Sequence, residues 1–267
     1  MWLDDSSSER DGAAGGEARH EDSRRVDEEP PGPAHPVLSQ APAPLTDGSH
    51  AGALSASCEA LFRSTEQALP WAWKLLQLGK GPGVLPAEAR GAALEFLDRI
   101  PPHVRRGVSE LLAYSNLWQA VCTRLGRPVA RSTEELLREL NGDLQLLLRG
   151  AQARLGTTAA LEQGLLLHLG RLREARGKEP TAGLELRATL DAFTHSVMQV
   201  MSAASAYRRA WEAAEAELSE SSEWLGAGDP GFCTWLAEHL SASVPAWREA
   251  HTASRLLQEL GALSGPP

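Results

Sequence analysis

Leu186, Leu190, Phe193, Val197, Val200, Ala204, Tyr207, Trp211, Ala214, Leu218, Ser221 and Leu225 follow one another in alternating steps of four and three. Eleven such steps hold an average near 3.5 residues, the spacing that keeps one side of a helix against a partner helix without drifting off it. Only Ser221 interrupts the apolar stripe, and nothing here alternates with the period of two that marks a strand. About 40 helical residues at ~1.5 Å each make a rod roughly 60 Å long. A rod of that length needs a partner.

The preceding segment supplies one. Steps of three and four from Leu137 meet Leu140, Leu144, Leu147, Ala151, Arg154, Thr158, Leu161, Leu165, His168, Leu172 and Ala175. Between the two stripes lies Arg176-Gly177-Lys178-Glu179-Pro180-Thr181-Ala182-Gly183, whose glycines and proline suit a reversal. The spacing predicts an αα-hairpin of two long helices, about 132–177 and 181–225. Ser132-Thr133-Glu134-Glu135 is a capping box that fixes the start of the first. Gly142, Gly150, Gly156, Gly164 and Gly170 predict bending, a break near Gly156-Thr157-Thr158, or close approach of another backbone.

Folding the hairpin at its turn pairs residues whose numbers total about 361. Arg154 then lies opposite Tyr207 and near Trp211, and His168 opposite Phe193. An arginine in such a seam can lay its stem over an aromatic face, so Arg154, Tyr207 and Trp211 are candidates for fixing the register. The alternative is a slipped seam in which Arg154 points to solvent and Leu155 turns in. His168 reads as a satisfied seam histidine.

Composition extends the helical reading to the whole chain. Leucine dominates, Ile100 is the one isoleucine and valine is sparse, which argues for an all-α protein. Three distant cysteines, Cys58, Cys122 and Cys233, have neither metal-ligand spacing nor the even number of a closed disulfide framework. Met1-Trp2-Leu3-Asp4-Asp5 lacks a signal-peptide layout, and no apolar run reaches the ~18 residues that span a bilayer. The expectation is a reduced cytoplasmic protein, with nuclear or peripheral membrane association also open. Of the net charge of −9, residues 1–60 carry −8 (12 Asp and Glu, 4 Arg), which leaves −1 for the remainder. That balance offers no basic face for a nucleic-acid backbone.

Residues 1–50 are acidic, proline-rich and almost free of apolar periodicity, so they read as a disordered tail. Residues 51–128 read as a subdomain of short helices at one end of the hairpin. In it a helix over Leu54–Leu78 is interrupted at Pro70, another runs from Pro86 to Ile100, Pro101-Pro102 stops that one, and a third covers about 103–125. Residues 129–267 form the elongated antiparallel bundle, in which the segment from Asp229 onward, kinked or restarted at Pro245, returns as a third long helix.

Searching the sequence for chemistry finds none. It lacks a G-x-S-x-G turn, an H-E-x-x-H pair and Glu-x-x-His pairs on the long helices, and Gly79-Lys80-Gly81-Pro82-Gly83 lacks the strand, spacing and helix of a phosphate loop. No enzyme activity, cofactor or metal is expected. The reading is a non-enzymatic helical scaffold or adaptor that binds other helical proteins, or itself, within a larger complex. Trp71, Trp73 and Trp118 are its candidate partner-binding residues, with burial in the core as the alternative.

In layout, residues 132–263 also resemble the long antiparallel helices of BAR-type dimers. That resemblance implies recognition of an anionic membrane surface in membrane trafficking. The basic residues at the hairpin tip, Arg171, Arg173, Arg176 and Lys178, would make the lipid contact, at about 1 kcal/mol per exposed cation.

Overall fold

A computed structural model describes residues 48–79, 85–125, 132–177, 183–226 and 230–263. They form six helices and, among the described residues, no strand: α1 (Ser49–Leu78), α2 (Ala87–Leu125), α3 (Thr133–Gly177), α4 (Leu184–Gly226), α5 (Pro230–Ala242) and α6 (Val244–Leu263). The acidic tail, the loop at Lys80–Val84 and the turn residue Lys178 lie outside the described residues, apart from the tail's last few positions. Gly48, at φ 73° in the left-handed region, precedes α1.

Every position of the stripe from Leu186 to Leu225 is buried, with α4 packed mainly between α1 and α3. The stripe on α3 is buried from Leu140 to Ala175 except at Arg154, which is half-buried. The capping box forms as expected: the Ser132 N–H donates to Glu135 Oε2 at 3.0 Å and the Glu135 N–H to Ser132 Oγ at 3.2 Å.

The hairpin register differs from the expected one. Gln145 donates to Ser222 at 2.8 Å, Gln152 to Glu215 at 3.0 Å, and Arg176 pairs with Asp191 at 3.2 Å. Each of these pairs totals 367 rather than 361. Residue 190 of α4 is therefore level with Gly177, and the start of α4 projects about six residues, roughly 9 Å, beyond the end of α3. Leu184, at 90% exposure, is the visible result.

The expected interruptions at Pro70 and at Pro101-Pro102 do not occur, and neither does the break near Gly156, one of the three outcomes open to the α3 glycines. Helix α1 runs through Pro70, α2 through Pro101 and Pro102, and α3 through Gly156. An interior proline costs about 3 kcal/mol in an isolated helix, but burying one large apolar side chain returns about 1.5–3 kcal/mol. Around the proline pair Phe96, Ile100, Val104 and Val108 are all buried, and tertiary burial outweighs the local penalty. In α3, the close approach is at Gly150, where an added Cβ would stand 3.1 Å from the Tyr114 ring, while Gly142, Gly156, Gly164 and Gly170 face open space.

Residues 51–125 are thus two long helices rather than a set of short ones, and they share one compact unit with the hairpin. Neighbouring helices of α1–α4 run antiparallel. His50 of α1 pairs with Glu217 of α4 near one end and Lys74 with Glu185, at 3.3 Å, near the other. Arg124 pairs with Asp143 and Glu95 with Arg171 across α2 and α3. Side chains meet across the diagonal between α2 and α4: Phe96 on Phe193 at 5.4 Å and Tyr114 on Trp211 at 4.9 Å, both edge to face. This is a four-helix bundle with a closed core.

The C-terminal segment restarts at Val244, as Pro245 predicts. It does not return along the hairpin: α6 packs against α1 and α2. Trp247 stacks on Trp118 at 4.9 Å and 10°, and meets Tyr114 edge-on at 5.6 Å. Helix α5 is fastened below it, where Cys122 Sγ donates to the Leu240 carbonyl at 3.0 Å.

Candidate interaction surface

The three candidate partner-binding tryptophans separate. Trp118 is 2% exposed and belongs to the core beneath Trp247, so it is not available to a partner. Trp71 and Trp73 are 37% and 45% exposed. Two residues along a helix is a turn of about 200°, so they cannot share a face. Trp73 points into the furrow between α1 and α2, a depression of about 470 Å³ that it lines with Leu76, Gln77, Arg90 and Leu94. Trp71 lies on the same flank as Lys74, which pairs with Glu185 of α4. Leu94 is 52% exposed, and Arg90 Nη2 donates to the Gly79 carbonyl at 2.9 Å, which holds the guanidinium at the far lip.

The basic tip stands at this same end of the bundle. Two of its cations are already engaged, Arg171 with Glu95 and Arg176 with Asp191, and Lys178 is outside the described residues. The Glu95 carboxyl is held below the usual carboxylate range by its hydrogen bond from Arg171.

The seam candidates lie mid-bundle. The Arg154 guanidinium lies over Trp211 at 5.8 Å, as the stripe suggested, but its second ring is Tyr114 at 5.5 Å and not Tyr207. Its Nη1 donates to the Gly150 carbonyl at 2.6 Å. Tyr207 is buried, donates to the Gly107 carbonyl at 3.3 Å, and meets Trp211 edge-on at 5.9 Å. Arg154 and Tyr207 both line a cavity of about 30 Å³ between Leu61, Val104 and Leu161, room for one or two waters and nothing larger.

His168 is buried and packs edge-on against Phe96 at 6.4 Å. Its Nδ1 is 3.8 Å from Glu95, too far for a hydrogen bond. Burial lowers its pKa, against the opposing pull of Glu95. Burial pushes the Cys58 thiol up to about 12 and raises that of Cys122, so neither is a nucleophile at neutral pH. Among the described residues no group of three or more His, Cys, Asp or Glu could hold a metal ion, and no helix is long and apolar enough to cross a membrane.

The sequence reading missed the furrow itself. A signal was present: Phe62 and Trp73 on α1, and Leu94 and Arg105 on α2, are each eleven residues apart, three helical turns to within about 20°. Comparison with family models, with curated proteins and with solved structures finds no match to this chain.

Proposed function

We propose that this chain is a non-enzymatic helical scaffold or adaptor that engages other helical proteins through the α1–α2 furrow. The observation that carries the reading is Trp73 and Leu94, both about half exposed on opposite walls of one groove. A tryptophan in a depression is the side chain that most often anchors a protein interface. The pair is tested by Trp73→Ala with Leu94→Ala in the full chain. The expected result is loss of a specific set of co-purifying proteins with circular dichroism unchanged and no sedimentation with anionic vesicles at any lipid composition. An unchanged protein set would refute the reading.

A BAR-like membrane-surface protein is the second reading, supported by Trp71 and the Arg171–Arg176 cations standing at the same bundle end. The ion pairs at Arg171 and Arg176 reduce the charge left for lipid, which ranks it second. Its test is charge reversal at Arg171, Arg173, Arg176 and Lys178, which would abolish salt-sensitive vesicle binding while helicity stays.

A further inference from the structure

The furrow between α1 and α2 is one groove used at two levels. At the lower level it already holds a helix of this chain. Gly261 in the last turns of α6 lies against Phe62 and Arg105, where an added Cβ would stand 3.3 Å from the Phe62 ring and 3.6 Å from Arg105 Cγ. The upper level is reached by moving eleven residues along each wall, from Phe62 to Trp73 and from Arg105 to Leu94. Both cross-groove pairs total 167, so the antiparallel walls keep their register over the whole distance. Eleven residues are about 16 Å and return to the same face within about 20°. The helix that fills the lower level is described as far as Leu263, two residues beyond the Gly261 that lies against Phe62 and Arg105.

Charge along the furrow has a direction. On α1 the face from Phe62 to Trp73 passes through Glu66, and on α2 the face from Arg105 to Leu94 passes through Asp98, so two carboxylates flank the middle. Arg90 stands at the far lip. A helix laid there with its N-terminus toward α6 brings its positive dipole end to the carboxylates and its negative end to Arg90.

We infer that the upper furrow docks an amphipathic helix of a partner protein, about three to four turns long, coaxial with α6 and running in the same direction. This rests on the scaffold reading above and specifies its occupant: a large apolar side chain between Trp73 and Leu94, basic residues flanking the first half of its apolar stripe and acidic residues flanking the second. The intramolecular seat of α6 is the precedent for the geometry, and the carboxylate-to-arginine gradient is the argument for the chemistry.

The test uses two labelled synthetic helical peptides of about 14 residues with leucines at i, i+4, i+7 and i+11. One carries lysines in its first half and glutamates in its second, and the other has the charges exchanged. Fluorescence anisotropy with the full chain should show the first binding at least about tenfold tighter, a difference of about 1.4 kcal/mol. Leu94→Glu, at an exposed position, should abolish binding while circular dichroism and Tm stay put. The triple variant Glu66→Lys, Asp98→Lys, Arg90→Glu should invert the preference. Binding that ignores Leu94→Glu, or a preference the triple variant leaves unchanged, overturns the inference.

A benzophenone amino acid placed at position 73 in the cell-expressed chain separates the failures. Adducts with other proteins alongside no peptide binding would overturn the helix inference and leave the scaffold reading standing. Adducts with a second copy of this chain, or peptide-independent pelleting with phosphatidylserine vesicles that Leu94→Glu abolishes, would overturn it in favour of those occupants. Neither adducts nor peptide binding would overturn both.

Discussion

Replacing Trp247 with alanine removes the side chain that seats α6. The indole is 2% exposed, stacked on Trp118 and set edge-on against Tyr114, and the residue's carbonyl accepts from Gln119 Nε2 at 3.3 Å. A buried tryptophan truncated to alanine costs about 3–5 kcal/mol, and loss of two ring contacts at ~0.5–1.5 kcal/mol each places this site in the upper part of that range. For a chain of this size 1 kcal/mol moves Tm by about 2–4 °C, so the expected fall is at least about 8 °C. The loss has an alternative route, because α6 makes its main contacts with α1 and α2 and can detach as a unit without opening the four-helix core.

Urea unfolding followed at 222 nm, with hydrogen exchange resolved by peptide, separates the routes. Detachment removes protection from residues 244–263 and leaves α3 and α4 protected, whereas global loss lowers protection everywhere by the same free energy. Trp71→Ala, at a half-exposed position, is the control and should fall within about 0.5 kcal/mol of the parent. A Trp247→Ala chain that loses less than about 1 kcal/mol and keeps α6 protected would refute the placement of α6 in the furrow.

Four further outcomes follow from named contacts. In a double-mutant cycle, Arg154→Met and Tyr114→Leu should couple by about 1 kcal/mol, the value of a partly desolvated cation over an aromatic face; coupling below about 0.2 kcal/mol would remove Arg154 from the rings. Pro102→Ala, at an exposed position inside the continuous α2, should stabilise by about 2 kcal/mol in urea unfolding, helix propensity outweighing the gain in unfolded-state entropy; a lowered midpoint would mean α2 needs its proline. Cys58, with its thiol near 12, should resist iodoacetamide at pH 8 and react only on unfolding, read by mass spectrometry; fast labelling of the native chain would contradict its burial. His168 has a lowered folded-state pKa, so its unfolded form takes up a proton first. Stability should therefore decline as pH falls through the unfolded value near ~6.5, and His168→Gln should flatten that decline in urea midpoints measured from pH 7.5 to 5.

How far the sequence can be read depends on what each signal measures. Periodicity reports which face of a helix is buried, and the stripe from Leu186 to Leu225 met burial at every position because α4 is covered along its whole length. Periodicity says nothing of which helix does the covering. A hairpin register drawn from the midpoint of the turn holds only if both helices end level, and packing of α1 beside α4 lets Leu184 run on past Gly177. Proline signals a local penalty, and at Pro70, Pro101 and Pro102 buried neighbours outweigh it. Tryptophan identity gave no means of separating Trp118 from Trp73, since both are large, apolar and helical. Only the position of α6 makes one core and leaves the other half exposed.

That last contrast bears on what the upper furrow can accept. At the lower level α6 buries Ala250, Ser254, Trp247 and Leu257, and its Gly261 lies beside Phe62 and Arg105 at the edge of a depression of about 320 Å³. At the upper level Trp73 and Leu94 stand apart around a depression of about 470 Å³, so a second copy of the α6 pattern, with glycine at that height, would leave the space unfilled and gain little from it. An occupant that binds must place an aromatic or leucine side chain there. On the docking proposal the two levels of one groove would therefore favour different helices, the upper one a helix with a large apolar side chain at the height of Trp73 and Leu94.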